Sequence, residues 1–263
     1  MITSTGNPKI RSLVNLKRKA KERNARDVFL AEGIKMFQEV PADRLEEVFA
    51  SDSFAKSPAG RAALARVSVP AEIVSDSVFQ FLSDTQSPQG ILAVVRQMHY
   101  TMDDLSGPRP LLVILENLQD PGNLGTIVRT AEGAGVTGIL CGKGTADIYS
   151  PKVTRSTMGS IFRVPFLYSE DLPADIRHLK AGGIAVYAAH LQGSVPYCEP
   201  DYTGGTAFLI GNESRGLTEE ISSLADGCIR IPMHGKVESL NAAVSASILM
   251  YEACRQRDGK GCE

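Results

Sequence analysis

Short apolar runs alternate with polar, helix-like segments over the first 95 residues of the chain. Segments 10–24, 33–40, 59–67 and 78–82 have helical spacing, whereas 28–31, 44–50, 71–74 and 90–95 are compact apolar runs typical of strands. Polar residues and two prolines then fill 98–110. The pattern predicts a small α/β domain over residues 1–97 and a linker over 98–110.

A second alternation follows the linker. The continuous apolar run at 111–115 predicts a strand buried on both faces. Further strands are predicted near 137–141, 163–167, 184–189, 206–210 and 228–232, with helices near 123–134, 151–160, 171–181, 217–225 and 240–256. This pattern predicts a mostly parallel α/β sheet in a second domain over residues 111–263.

The last predicted helix has an apolar stripe and a remainder rich in alanine and serine. The stripe consists of Leu240, Val244, Ile248 and Tyr251, which have helical spacing. Small residues on the rest of the surface would allow another helix to approach closely.

Composition narrows the class of protein. Of the 263 residues, 43% are apolar and 22% charged, as in ordinary folded proteins. No apolar run approaches the roughly 18 residues of a membrane span, and the first residues lack the apolar core of a signal peptide. The five cysteines and four histidines have no metal-ligand spacing. We therefore expect a cytoplasmic protein with no membrane partner and no metal.

The net charge of -2 hides an uneven distribution. Residues 1–35 contain nine basic and three acidic side chains, so this segment is +6 and the remainder is -8. Clustered cations attract phosphate, and Lys17, Arg18, Lys19 and Lys21 form the densest cluster. The segment suggests an anionic partner, although a solvated basic helix would look the same.

Three polar segments each follow a predicted strand. The first, DPGNLGTIVRTAEGAGV at 120–136, starts a helix with Asn123 near its beginning and Arg129 about two turns in. Helix N-termini bind anions, but an ordinary turn would use Asn123 as the cap and Arg129 in a salt bridge. The segment does not match the glycine fingerprint of dinucleotide sites, and Gly142-Lys143-Gly144 does not match a phosphate-binding loop.

The second and third segments also run from a predicted strand into a glycine-containing polar loop. FLIGNESRGL at 208–217 runs from a buried strand into Gly211, a residue type that lets a ligand approach the backbone closely. IPMHGKVESLNAAVSASILMYE at 231–252 runs from a strand through a glycine-containing loop into the last helix. Taken alone, Ser239 would be an N-cap.

Together, these segments resemble in order and spacing the three motifs of the SpoU (TrmH-type) branch of the SPOUT RNA methyltransferases. The resemblance covers roughly residues 110–257. The N-terminal text KIRSLVNLKRKAKERNARDVFLAEG at 9–33 also resembles the ribosomal-protein-like substrate-binding domain that often precedes the catalytic domain in this family.

The resemblance implies an α/β domain with a deep trefoil knot that binds S-adenosylmethionine. It also implies a homodimer that methylates ribose 2′-hydroxyls of RNA. By motif, the cofactor-binding positions are Gly211, Ile231, Met233 and Leu240. The catalytic positions are Arg129, Asn123, Glu213, Ser239 and Asn241, with Arg129 as the main catalytic residue.

Chemistry limits the roles of two of these residues. A guanidinium with a pKa of at least about 12 is a poor general base, so we expect Arg129 to hold an RNA phosphate and the nascent alkoxide. Glu213 is expected to be either the base or a group that orients Arg129.

Several functions remain open from the sequence. An N-terminal domain of this kind favours rRNA over tRNA as the substrate. A non-catalytic RNA-binding relative is a further alternative, as is a nucleotide-dependent oxidoreductase, which the missing glycine fingerprint disfavours.

Overall fold

A computed structural model describes residues 1–191 and 195–259 of the chain. Cys262 and the last residues of the predicted second domain lie outside the described residues. Contacts divide the chain into two compact units, one of residues 1–98 and 147–162 and one of residues 99–146 and 163–263. The domain boundaries at residues 97 and 111 stay a prediction. The structure adds that residues 147–162 pack within the first unit.

The first unit is built on a four-stranded mixed sheet in the order β1-β4-β2-β3. Strand β4 pairs antiparallel with β1 and β2, and β2 pairs parallel with β3. The elements are α1 (Pro8–Arg18), α2 (Ala20–Arg26), β1 (Val28–Glu32), α3 (Ile34–Glu39), β2 (Leu45–Ser51), α4 (Asp52–Lys56), α5 (Pro58–Leu64), β3 (Ala71–Val74), α6 (Asp76–Leu82) and β4 (Ile91–Arg96).

The basic N-terminal segment forms two helices that are separated at Lys19. Arg23, of which only 4% is exposed, donates through its guanidinium to the carbonyl oxygens of Leu16 at 2.6 Å and Lys17 at 3.2 Å. A continuous helix would use those two carbonyls for backbone bonds of its next turn. Arg23 therefore satisfies the C-terminal end of α1, and its charge is balanced by Asp147.

The first unit has apolar contacts on both faces of its sheet. Apolar residues of α1 and α6, among them Leu13 and Phe79, form a core with buried residues of all four strands. Phe29 of β1 stacks on Tyr149 and Phe162, with ring centroids 4.8 and 5.9 Å apart. The segment 147–162, which contains α8 (Pro151–Thr157), thus completes this unit.

The second unit is a seven-stranded parallel sheet in the order β7-β6-β5-β10-β8-β11-β9. Its elements are β5 (Leu111–Leu115), α7 (Pro121–Gly133), β6 (Gly138–Cys141), β7 (Phe166–Tyr168), α9 (Leu172–Ala181), β8 (Ala185–Ala189), β9 (Val195–Pro196), β10 (Thr206–Ile210), α10 (Glu219–Ser222), β11 (Gly227–Arg230) and α11 (Ala242–Asp258).

The parallel sheet predicted from the sequence is confirmed, and its strand order predicts where a ligand would bind. The chain leaves β5 through α7 to β6 on one side, whereas β10 lies on the other side of β5. In open α/β sheets, ligands bind at the carboxyl ends of strands where the order reverses in this way. The loops that follow β5 and β10 therefore occupy the expected position.

The apolar stripe of the last helix does not face the core. Val244 and Tyr251 are 46% and 51% exposed, and Leu240 precedes the helix rather than lying within it. The opposite side of α11 is buried and consists of Ala243, Ala246, Leu249, Met250 and Ala253, and the helix packs against α7 and β10. The buried side thus combines three alanines with Leu249 and Met250, whereas Val244 and Tyr251 of the predicted stripe remain about half exposed. Within the described ranges, no helix is long and apolar enough to cross a membrane.

Candidate functional site

The loop after β10 folds tightly back on itself. The backbones of Asn212 and Gly216 exchange two hydrogen bonds, of 3.0 and 2.9 Å, and Gly216 has a φ of 69°. A side chain on Gly211 would lie 2.2 Å from the Gly216 carbonyl carbon and 2.3 Å from the Leu217 nitrogen. Only glycine therefore fits at position 211, as expected for a place where backbone lies close to other atoms.

Two side chains attach this loop to the end of β5. Asn212 donates to the Asn117 carbonyl at 2.9 Å. The Glu116 carboxylate accepts from the Thr218 amide at 2.8 Å and from its hydroxyl at 2.7 Å. The loops after the two neighbouring strands are thus held as one surface.

A cavity of about 390 Å³ opens beside this surface. The predicted cofactor positions Gly211, Ile231, Met233 and Leu240 all line it, and so do the predicted catalytic positions Glu213 and Ser239. Ile210, Leu217, Ile229 and Leu249 form an apolar part of the wall. The second and third motifs therefore meet around one cavity, as a bound small molecule would require.

The first motif joins the other two through Asn123. Its side-chain amide donates to Glu213 Oε1 at 3.0 Å, and its Oδ1 accepts from the Asn241 amide at 2.9 Å. The side chains form a continuous chain of hydrogen bonds from the loop after β10, through α7, to the start of α11. This chain brings together one residue from each of the three segments.

Asn123 does not cap its helix. Asp120 is the N-cap of α7, because its Oδ1 accepts from the Asn123 backbone amide at 2.8 Å. The side chain of Asn123 is therefore available for Glu213 and Asn241, and the ordinary interpretation of this residue is wrong.

Ser239 does not cap its helix either. The cap of α11 is Asn241, whose Oδ1 accepts from the amides of Ala243 at 2.9 Å and Val244 at 3.4 Å. Ser239 is exposed two residues earlier and lines the cavity. The helix begins at Ala242, later than the sequence pattern predicts, because Asn241 supplies the capping oxygen.

Glu213 is held as a carboxylate. Partial removal of water would raise its pKa, but hydrogen bonds from the Asn123 side chain and from the amides of Asp120 and Gln119 outweigh that effect and lower it. These donors lie at the start of α7, where a negative charge is favourable. A general base works best with a pKa near the operating pH, so the lowered pKa argues against that role.

Arg129 lies on the exposed side of α7. Among the residues that the structure describes, it has no hydrogen bond or ion pair, and none links it to Glu213. The salt bridge expected of an ordinary surface arginine is therefore absent from the described part of the chain. A guanidinium in this state is available to an external anion.

Several residues of the cavity wall were not predicted from the sequence. Ala189 ends β8, the other neighbour of β10, and His190 and Leu191 follow it; all three line the cavity. Glu238 and Ser245 also line it. The signal for the first three was their position at a strand's carboxyl end, but the strand order that makes it relevant is a tertiary property.

The side chains that commonly bind metals are dispersed. In residues 1–191 and 195–259, no group of three or more histidine, cysteine, aspartate or glutamate side chains is arranged to hold a metal ion.

Comparison with known families is decisive. A family model described as the SpoU rRNA Methylase family matches residues 110–251, and one described as an MRM3-like substrate binding domain matches residues 7–93. The chain belongs to the SpoU rRNA methylase family. The first match spans all three motifs of this SpoU protein, and the second spans the basic N-terminal helices.

Relatives cover both units of the SpoU chain. The 23S rRNA (guanosine(2553)-2'-O)-methyltransferase RlmP of Bacillus subtilis is 34% identical over 95% of this chain and 97% of its own length. The SpoU methyltransferase AviRb from Streptomyces viridochromogenes, solved with AdoMet, superposes with a TM-score of 0.88 at 26% identity, covering 97% of this chain and 100% of that one. An AdoMet-bound rRNA methyltransferase from Sinorhizobium meliloti gives 0.85 at 31% identity, with 97% of both chains covered.

Proposed function

We propose that this protein transfers a methyl group from S-adenosylmethionine to a ribose 2′-hydroxyl of rRNA. The observation behind the proposal is the hydrogen-bond chain from Glu213 through Asn123 to Asn241, which joins the three family motifs beside one cavity. Relatives whose names specify rRNA 2′-O-methylation and whose structures hold AdoMet support the reaction and the cofactor.

The cavity fits S-adenosylmethionine. Its volume of about 390 Å³ is within the usual range for small-molecule sites, and its wall combines apolar side chains with polar groups. The absence of a side chain at Gly211 leaves backbone at the wall, which suits recognition of an adenine edge by backbone groups. We assign Gly211, Ile231, Met233 and Leu240 to cofactor binding. The cofactor supplies an electrophilic methyl group on its sulfonium.

The protein's own contribution is positioning and charge stabilisation. Arg129, exposed and free of partners in the described structure, is assigned to the RNA phosphate and the developing alkoxide. Asn123, Glu213 and Asn241 hold the start of α7 against the loop after β10, which places Arg129 relative to the cavity. Ser239, exposed at the cavity wall, is assigned to the substrate side of the site.

We also propose the family's trefoil knot. Strand β11 lies near one edge of the sheet, whereas α11, which follows it, packs against α7 and against β10 in the middle of the sheet. Five of the intervening residues, Ile231, Met233, Glu238, Ser239 and Leu240, line the cavity together with the loop after β10. The C-terminal segment must cross back over the sheet in this way if it passes through a preceding loop to form the knot.

The exposed stripe of α11 supports a homodimer. Val244 and Tyr251 are exposed apolar residues on a helix whose first turn belongs to the site. Burying them against a second copy would stabilise a dimer by about 25 cal/mol for each Å² of apolar surface removed from water. Sedimentation velocity at micromolar concentration tests this assignment. A monomer under those conditions contradicts it.

The first unit is assigned to RNA binding. Five of its N-terminal cations are exposed and free of partners within the described residues; they are Arg11, Arg18, Lys19, Lys21 and Lys35. Lys17 was predicted to belong to this group, but only 13% of its side chain is exposed. It binds the Leu82 carbonyl and Asp84, each at 2.9 Å.

Methylation assays test the function directly. We expect methyl incorporation from labelled S-adenosylmethionine into rRNA and not into tRNA, at a ribose 2′-oxygen, so that the phosphodiester on its 3′ side resists alkaline cleavage. An rRNA substrate would place the protein in the cytoplasm. Incorporation into tRNA alone contradicts the substrate assignment, and incorporation into a base contradicts the reaction.

A further inference from the structure

Two oppositely charged residues of the cavity wall have no partner in the described structure. Arg215 lies within the loop after β10, and Glu238 precedes Ser239. Neither forms a hydrogen bond through its side chain or an ion pair with any described residue, although both line the same cavity. The other titratable wall residues, His190 and Glu213, already have partners.

We infer that Arg215 and Glu238 bind the amino acid end of S-adenosylmethionine. The Arg215 guanidinium takes the α-carboxylate, and the Glu238 carboxylate takes the α-ammonium. This inference rests on the proposed function, because it requires the cavity to be the cofactor site.

Charge complementarity is the physical basis. The methionine part of the cofactor is a zwitterion, and each of its charges needs a partner when it leaves water. A guanidinium matches a carboxylate with two parallel hydrogen bonds, and a carboxylate accepts directly from an ammonium group. The wall provides one free group of each sign and no third among the described residues.

The rest of the wall suits the other end of the cofactor. Ile210, Leu217, Ile229, Ile231 and Leu249 are apolar and line the same cavity. Apolar side chains and backbone suit an adenine ring, which has no formal charge. The cavity thus offers different chemistry for adenosine and for the amino acid, and the two parts can be tested separately.

Isothermal titration calorimetry with two ligands makes that separation. S-adenosylhomocysteine has the amino acid end, and 5′-methylthioadenosine lacks it. We expect E238Q and R215Q each to weaken S-adenosylhomocysteine binding by about tenfold, as for loss of a charge-assisted hydrogen bond, and to leave 5′-methylthioadenosine binding unchanged. E238D and R215K should recover part of the loss.

Matched variants control for charge alone. Glu220 and Arg177 are exposed, lie in the same unit and do not line the cavity, so E220Q and R177Q should bind both ligands as the wild type does. Equal weakening of both ligands by E238Q or R215Q overturns the inference, as does an unchanged affinity for S-adenosylhomocysteine. A wild type that binds neither ligand overturns the proposed cofactor site as well.

Discussion

The side-chain amide of Asn241 donates a 2.9 Å hydrogen bond to Oδ1 of Asn123, a residue 118 positions earlier in the chain. The direction of this bond follows from Glu213. A carboxylate can only accept, so the amide group of Asn123 must point toward Glu213 and its oxygen toward Asn241. One carboxylate thus sets the orientation of both amides.

Replacing Asn123 by aspartate tests this chain of bonds. N123D removes the donor to Glu213 and places two carboxylates at hydrogen-bond distance, so we expect a loss of about 1–3 kcal/mol in the free energy of unfolding at pH 7. The loss should shrink at pH 5, because neighbouring carboxylates share a proton more readily as the pH falls. Urea unfolding at the two pH values measures it, with N15D, at an exposed position, as the control. Equal losses at both pH values contradict the assigned bond directions.

Substitution E213Q separates the charge of Glu213 from its shape. Hydrogen bonds to the ionised form lower the pKa of this group, so its contribution to stability is present above the unfolded-state value near 4.5 and is lost as the pH falls through the folded value. Wild-type stability should therefore fall more steeply than that of E213Q below pH 4.5. Asp226 and Glu252 also have lowered pKa values, but they titrate in both proteins and cancel in the comparison. Parallel curves contradict the role.

The fold was largely predictable because the elements differ in hydrophobic period. The run at 111–115 is buried on every residue, as its continuous apolar character predicts. The stripe of α11 was not predictable in the same way, because apolar residues repeat on two sides of the helix. Which side is buried depends on the contacts of α11 with α7 and β10, and Tyr251 lies close to Gly133 of α7 although it is half exposed.

Gly211 provides a steric test of the cavity. G211A places a methyl group within 2.3 Å of the backbone at 216–217, so the loop must move. We expect a stability loss of about 1–3 kcal/mol, as for overpacking, together with loss of S-adenosylhomocysteine binding in calorimetry. G204A is the matched control, since a side chain there meets nothing within 4 Å. Retained binding in G211A would show that the loop does not form the cofactor site.

The residues of the candidate site were predictable from the sequence motifs, but the contacts between them were not. The motif segments identified Asn123, Glu213 and Asn241, yet their contacts depend on Asp120 and Asn241 acting as the helix caps. From the sequence, any Ser, Thr, Asp or Asn near the start of a helix is a candidate N-cap. Which of the neighbouring candidates is the cap depends on the backbone conformation. The wall residues after β8 required the strand order, which local pattern does not contain.

Arg129 is the residue whose loss should separate chemistry from cofactor binding. R129A should lower the methylation rate by about 10²–10³, the usual effect of removing one group that stabilises transition-state charge. Binding of S-adenosylhomocysteine should stay at the wild-type level, because Arg129 does not line the cavity. R129K should recover little, since lysine lacks the planar fork of donors. T126A, one turn earlier on the exposed side of α7, is the control. A near-wild-type rate for R129A contradicts the assignment.

The salt dependence of RNA binding tests which cations bind phosphate. Arg18, Lys19 and Lys21 are exposed and free of partners in the described residues, so R18Q/K19Q/K21Q should reduce the slope of log affinity against log salt by about two, near 0.7 for each phosphate that is no longer neutralised. Lys17 belongs to the same basic cluster in the sequence, but its side chain is bound to the Leu82 carbonyl and to Asp84, so K17Q should leave the slope unchanged.

Filter binding of an rRNA fragment between about 50 and 200 mM salt measures both slopes, because affinity for phosphate changes strongly over this range. An unchanged slope with the triple substitution contradicts the RNA-binding surface assigned to the first unit, whereas the catalytic assignment in the second unit would stand. A slope that falls with K17Q contradicts the role given to the Lys17 contacts.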